Sequence, residues 1–287
     1  MNKLKIAICF YGQPRHLEYT SKYLKKYYRN NEKYEFDFFC SAKSYYEWFS
    51  DKRNVGKIRE ENPNEIEKLI TDVYSPKSLN IIPKKYDDIC DADKIQKVYL
   101  SIIDSIFLKS KYEAESGIHY DVTILQRYDC ILFPLEKTLD YIIKSLIDSK
   151  SFTNPNHVFH FKMGNGKEHE HLVKMIQDIF LFSIGNTLDI LASELSNYIG
   201  EYNKKCRYEN KNEFFIKNIH SIIFDIFSKN NVEMHTIDNS KSDVKIHMTL
   251  IRDGLQDLDI LQPETWRKYV DLWHNTQKNI NSQIKTI

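Results

Sequence analysis

Residues 120–132, YDVTILQRYDCIL, constrain the fold more than any other stretch. Val122 to Leu125 is a short apolar run rich in β-branched residues, the pattern of a strand buried on both faces. It breaks abruptly at Gln126, Arg127, Tyr128 and Asp129, and apolar character resumes at Cys130 to Leu132. Strong polar groups therefore stand at the end of a core strand, where an open α/β sheet carries its ligand crevice. A carboxylate there holds a divalent ion through hard oxygen ligands, and a guanidinium grips phosphate with two hydrogen bonds. The same residues also suit a plain strand end with Arg127 and Asp129 solvated or paired to each other, and both readings stand.

The chain upstream supplies a matching half. Leu4 to Tyr11 is almost wholly apolar and predicts a first strand buried in a parallel sheet. It runs into Gly12, Gln13, Pro14 and Arg15: a residue free to take positive φ, a helix-starting proline and a cation. Helical spacing follows over 16–28. Strand, glycine-containing turn, helix is the opening of a nucleotide-binding α/β unit, although the turn is not GxGxxG and an ordinary βα turn has the same look. A second strand is expected at 34–41, a short helix at 45–54, a helix at 64–73, a third strand at 79–83 and the longest helix at 93–115. Alternating helices and strands indicate an α/β layer fold with a mostly parallel central sheet flanked by helices. The aromatic group Tyr45, Tyr46, Trp48 and Phe49 suits core packing better than ligand stacking.

Beyond residue 132 the pattern predicts a helix at 135–148, a strand at 157–161, a glycine-containing loop at 163–171 and an apolar stretch at 175–182 around Asp178. Helices are expected at 186–198 and 212–230, strands at 232–237 and 244–251, and a closing helix at 264–277. His157, His160, His169 and His171 tempt a zinc reading, but no cysteine is interleaved and solvated histidines fit better.

Composition narrows the function classes. The 287 residues include 41 Lys and Arg against 40 Asp and Glu, a net charge of +1 that offers no bulk attraction for nucleic acid. The five cysteines are scattered without zinc or redox spacing, as buried free thiols in a reducing compartment would be. No run approaches a membrane span, and the basic-then-apolar start is too short for a signal peptide, so no transmembrane segment and a cytoplasmic location are expected.

Several of these patterns together resemble a family of bacterial and viral glycosyltransferases of the GT-A type. The match is carried by KIAICFYGQPR (5–15), by Tyr112-Glu113 followed by Tyr120-Asp121 and Arg127-x-Asp129, by Asp178 ahead of Leu188-Asp189, and by Glu213 ahead of 230–232. The resemblance implies a Rossmann-like GT-A fold over residues 1–260, with 261–287 a C-terminal helix packed on the same domain. It further implies a nucleotide-sugar donor, a glycan or other hydroxyl acceptor, and a divalent ion, manganese or magnesium, near the Asp129 turn. Gly12, Gln13, Arg15, Arg127 and Asp129 would contact the donor, and Asp178 would act as catalytic base or acceptor ligand. Asp129, with a late histidine, His247, would hold the metal. The family's Asp-x-Asp is here Arg127-x-Asp129, so a cation replaces the first carboxylate: either Arg127 itself neutralises a diphosphate, or Asp129 holds the ion alone. Each residue also has a plainer reading: Asp178 as helix cap or ion-pair partner, Arg15 as solvated surface, His247 as a packed histidine. A phosphoryl- or nucleotidyl-type transferase and a catalytically silent sugar-nucleotide- or glycan-binding module stay open beside the glycosyltransferase.

Overall fold

The structure is a computed structural model and describes residues 3–15, 31–48, 57–84, 94–133, 156–161, 180–208, 219–237 and 247–250, with single positions between 17 and 28 and between 137 and 144. Its centre is a seven-stranded sheet. β1 (Leu4–Gly12), β2 (Tyr34–Lys43), β5 (Ser78–Ile82), β6 (Val122–Arg127), β8 (His157–Phe161), β9 (Phe180–Ile184) and β10 (Glu233–Ile237) stand in the order β10-β8-β9-β6-β1-β2-β5. β1 pairs in parallel with both β2 and β6, while β9 runs against its two neighbours, β6 and β8. The sheet is thus mostly parallel and Rossmann-like, as the alternation of elements predicts.

Both faces of β1 are buried, which is why the strand is apolar throughout. Ile6, Ile8 and Phe10 face one core, and Ala7, Cys9 and Tyr11 face the other. The first core is closed by α1 (Pro63–Tyr74) through Ile66, Ile70, Val73 and Tyr74, together with Leu17, Tyr28, Leu139 and Ile142. The second is closed by α2 (Lys94–Ser116), α3 (Thr187–Tyr208) and α4 (Ile219–Lys229). α1 shows how local sequence sets an element. Asn62 caps it by accepting from the Asn64 amide at 3.0 Å, Pro63 opens it, and Ser75 ends it in the left-handed region at φ 49°.

α2 and α3 are fastened to each other by a buried cation. Lys109 Nζ lies 2.9 Å from Glu113 and 3.0 Å from Asp189 of α3, and the Ser110 hydroxyl also donates to Asp189. Burial alone lowers the Lys109 pKa, but the two carboxylates outweigh it and hold the pKa above its ordinary value.

Several expectations need correction. Residues 45–48 are a strand, β3 (Tyr45–Trp48), hairpinned on β4 (Lys57–Glu60), where a short helix was expected. The run YYEW is largely aromatic, and cross-strand pairing rewards that composition over helix propensity. Tyr45 is nonetheless core, as its aromatic character suggests. The strand in the 175–182 region is Phe180–Ile184, and the helix expected to stop at 198 continues to Tyr208. β11 (His247–Leu250) does not join the main sheet but pairs antiparallel with β7 (Cys130–Phe133). His157 and His160 are buried in β8, not solvated. Most of the helices expected at 16–28 and 135–148, the loop at 163–171 and everything from 251 onward, including the closing helix, lie outside the described residues. Cys9, Cys40 and Cys130 are buried and form no disulfide. Among the described residues no helix is long and apolar enough to cross a membrane.

Candidate functional site

The chain leaves β1 toward β2 and β5 on one side, then returns to the other side of β1 as β6. The carboxyl ends of β1 and β6 therefore flank the switch point where an open α/β sheet forms its crevice. Gly12, Gln13 and Arg15 follow the first of these strands, and Arg127 and Asp129 close the second.

At the end of β1, Gly12 has φ 94°, a backbone conformation that side chains rarely tolerate. A Cβ added there would meet nothing within 4 Å, so the backbone is required to be glycine by its torsion, and the space above it is open. The Arg15 amide then donates to the Gln13 carbonyl at 2.8 Å across Pro14, whose ring pre-sets this tight turn. Gln13 Oε1 is buried and has no hydrogen-bond partner among the described residues. Such an acceptor is costly unless a donor is brought to it.

At the end of β6 the polar residues sort by side. Gln126 is buried, donates to the Cys130 carbonyl at 2.8 Å and accepts from the Tyr28 hydroxyl at 3.4 Å, locking the turn across its base. Tyr128 inserts into the first core and stacks on Phe10 at 5.2 Å. Burial pushes its hydroxyl well above the ordinary pKa and pushes the Cys40 thiol up to about 12, so both are neutral parts of the floor. Arg127 and Asp129 then lie on the opposite side from Tyr128, facing each other. Arg127 Nε and Nη2 donate to the two Asp129 oxygens at 2.9 and 2.8 Å. The carboxylate side chain is 2% exposed and the guanidinium 28%. Of the alternatives open for this pair, the bidentate ion pair is the one formed.

A further cation was not singled out by sequence. Lys43 ends β2, beside β1, is 5% exposed, and its Nζ lies 3.1 Å from the Tyr45 hydroxyl. Its sequence signal is a lysine that follows the mostly apolar run FFCSA at the end of a strand. Arg15, Lys43 and Arg127 thus bring three cations to the same edge of three adjacent strands, where Asp129 is a carboxylate already held by Arg127.

Other residues of the sequence pattern serve the framework. Asp121 accepts from the Lys5 amide at 2.8 Å at the amino end of β6, the far edge from the crevice. Glu113 binds Lys109 and accepts from the Tyr120 amide at 3.3 Å, and the Tyr120 hydroxyl donates to Asp37 at 2.8 Å. Asp189 belongs to the Lys109 clamp. Asp178 lies outside the described residues; Phe180, two positions on, pairs with Gln126. The register of β11 sets His247 opposite Phe133 and Leu250 opposite Cys130. His247 is thereby three strand steps, about 10 Å, along the ladder from the residue following Asp129. Both Asp129 oxygens bind Arg127.

Two clefts lie elsewhere: about 330 Å³ between β5 and α2 beside Ile82, Leu100 and Phe107, and about 420 Å³ at the amino ends of β1 and β2. Neither cleft is lined by Arg15, Lys43 or Arg127.

No family model and no curated protein matches this chain. Among solved structures it is similar to a glycosyltransferase involved in glycosylation of the major capsid of PBCV-1, at 13% identity, with 83% of each chain covered and a TM-score of 0.36. It is also similar to the galactosyltransferase LgtC in complex with donor and acceptor sugar analogs, at 9% identity over 82% of this chain and 74% of that one, TM-score 0.39. A third is the nucleoside-diphosphate-sugar pyrophosphorylase of Vibrio cholerae RC9, at 10% identity over 84% and 93%, TM-score 0.31.

Proposed function

We propose that this chain is a glycosyltransferase that takes a sugar from a nucleoside diphosphate donor and passes it to a glycan or another hydroxyl acceptor. The observation that carries the reading is the placement of Arg15, Lys43 and Arg127 at or just after the carboxyl ends of the neighbouring strands β1, β2 and β6, with an open Gly12 turn and the buried Gln13 acceptor at the same end of β1. The sequence patterns at 5–15 and 120–129 agree with it. In the transfer, the bond from the sugar's anomeric carbon to the diphosphate oxygen breaks and a bond to the acceptor oxygen forms. One further negative charge builds up on the departing diphosphate, and fixed cations stabilise that change. Arg127, positioned by Asp129, is the residue assigned to this task, with Arg15 and Lys43 beside it. Gln13 Oε1 would accept a hydrogen bond from the donor's base or ribose. Asp178 keeps the role of base for the acceptor's proton.

A divalent ion fits this edge poorly, since position 127 offers a cation and Asp129 is engaged. Charge neutralisation therefore passes to arginine in this reading. The same pairing favours a second reading, a sugar-nucleotide-binding module without turnover.

Thermal melts against nucleoside diphosphates and their sugars, each with and without manganese, test both readings, because a ligand of the folded state raises its apparent stability. The expected result is a metal-independent shift with one nucleotide that disappears in Arg127→Lys, which keeps charge but loses the bidentate fork. Donor hydrolysis or transfer then separates the enzyme from the silent module. No shift with any nucleotide would sink the donor site, and a shift requiring manganese would return the charge to a metal.

A further inference from the structure

A second cluster stands at the opposite edge of the sheet, away from the crevice. His157 and Glu233 open β8 and β10 and are register partners, and His235 follows two residues later on the same face of β10. We propose that His157, Glu233 and His235 form a binding site for a transition-metal dication of the zinc class, clipping the outermost strand of the sheet to its neighbour.

The geometry carries this. The three ligand atoms all lie within 4.8 Å of one another. His157 Nδ1 is 3.1 Å from His235 Nε2, and each of these nitrogens is 3.6 Å from a Glu233 oxygen. A tetrahedral zinc with bonds of about 2.0–2.1 Å has ligand-to-ligand edges of about 3.4 Å. The two nitrogens stand a few tenths of an ångström inside that edge, and each meets a different oxygen of the Glu233 carboxylate a few tenths outside it. Both imidazoles turn a ring nitrogen toward the same point, and the carboxylate completes the face.

The support around the ligands is that of a held site. The His235 ring stacks on Phe159 at 4.4 Å and 17°, which fixes its plane. The Thr187 hydroxyl donates to the His157 carbonyl at 3.2 Å, and the Glu233 amide donates to the Asn156 carbonyl at 3.0 Å, anchoring both strand starts. His157 is 5% exposed while His235 and Glu233 are 27% and 37% exposed, so one side is closed and the other admits an ion with its water. Two imidazoles and one carboxylate select zinc, cobalt or nickel over magnesium or calcium, which prefer all-oxygen shells. An ion here joins β10 to β8 by bonds much stronger than the ladder's own, and it does so independently of any donor nucleotide.

The test uses the full chain stripped with chelator and titrated with cobalt(II) as the spectroscopic stand-in, followed by zinc competition. One ion per chain should bind with the visible absorption of a low-coordinate site, and zinc should displace it. Glu233→Gln and His235→Ala should each weaken binding on the order of a hundredfold, whereas His119→Ala, an exposed histidine elsewhere, should leave it unchanged. Zinc should raise the melting temperature of the parent and of His119→Ala but not of Glu233→Gln. Should His235→Ala fail to fold, the nearly isosteric Glu233→Gln decides alone. Absence of binding, or binding equal in the parent and Glu233→Gln, an adventitious ion only, would overturn the site.

Discussion

At the scale of single residues, buried charges decide most. Asp129 is nearly inaccessible and is compensated by Arg127, so the two side chains form one unit. Arg127→Ala leaves a desolvated carboxylate and should cost about 3 kcal/mol in urea unfolding. Arg127→Ala with Asp129→Ala should recover much of that loss, giving a coupling energy above about 1 kcal/mol in a double-mutant cycle. Simple additivity would show that the pair is solvated and not joined. Lys109 is a sharper case, 3% exposed between two carboxylates. Lys109→Met should lower stability by about 3 kcal/mol, toward the low end for a broken buried pair because Asp189 keeps contact with water. The ordinary reading of a lysine in a helix, a solvated charge, misses this because the partner Asp189 is 80 residues away.

At the scale of elements, the turns and caps carry the cost of shaping the site. Gly12→Ala places a side chain at φ 94°, and since its Cβ would meet open space the penalty is torsional. A loss of about 1–3 kcal/mol is expected in chemical denaturation. No loss would mean that the turn relaxes freely and does not hold the crevice. In α1, Asn62→Ala should cost about 1 kcal/mol by orphaning the Asn64 amide. These elements were legible locally: a proline after an asparagine, a glycine after an apolar strand. The hairpin of β3 and β4 was not, because strand preference in YYEW depends on a partner that sequence alone does not name.

At the scale of the whole molecule, burial couples titration to folding. Burial lowers the pKa of His160 below its ordinary 6.5, with His235 adding to the effect and the hydrogen bond to the Phe161 carbonyl opposing it. Its other ring nitrogen meets the Thr236 hydroxyl at 3.3 Å. The unfolded chain therefore binds this proton more readily than the folded one. The stability contribution is complete above about pH 6.5 and is lost as pH falls from there toward the folded value. Melting temperatures between pH 7 and pH 5 should fall more steeply in the parent than in His160→Gln; parallel curves would mean that His160 is not the group responsible. Two properties of the chain were already determined by its sequence. The α/β order of elements and the strand-end position of Gly12, Gln13, Arg15, Arg127 and Asp129 follow from apolar runs and the residues that interrupt them, which are local features. The tertiary structure alone decided which strand ends meet. It placed β6 beside β1, added Lys43 from β2, closed Arg127 onto Asp129, and paired the strand that carries His247 with β7. It also joined His157 to His235 across 78 positions. Contacts at such separations are fixed by strand order and register, and those arise from the packing of whole elements, not from the pattern within any one of them.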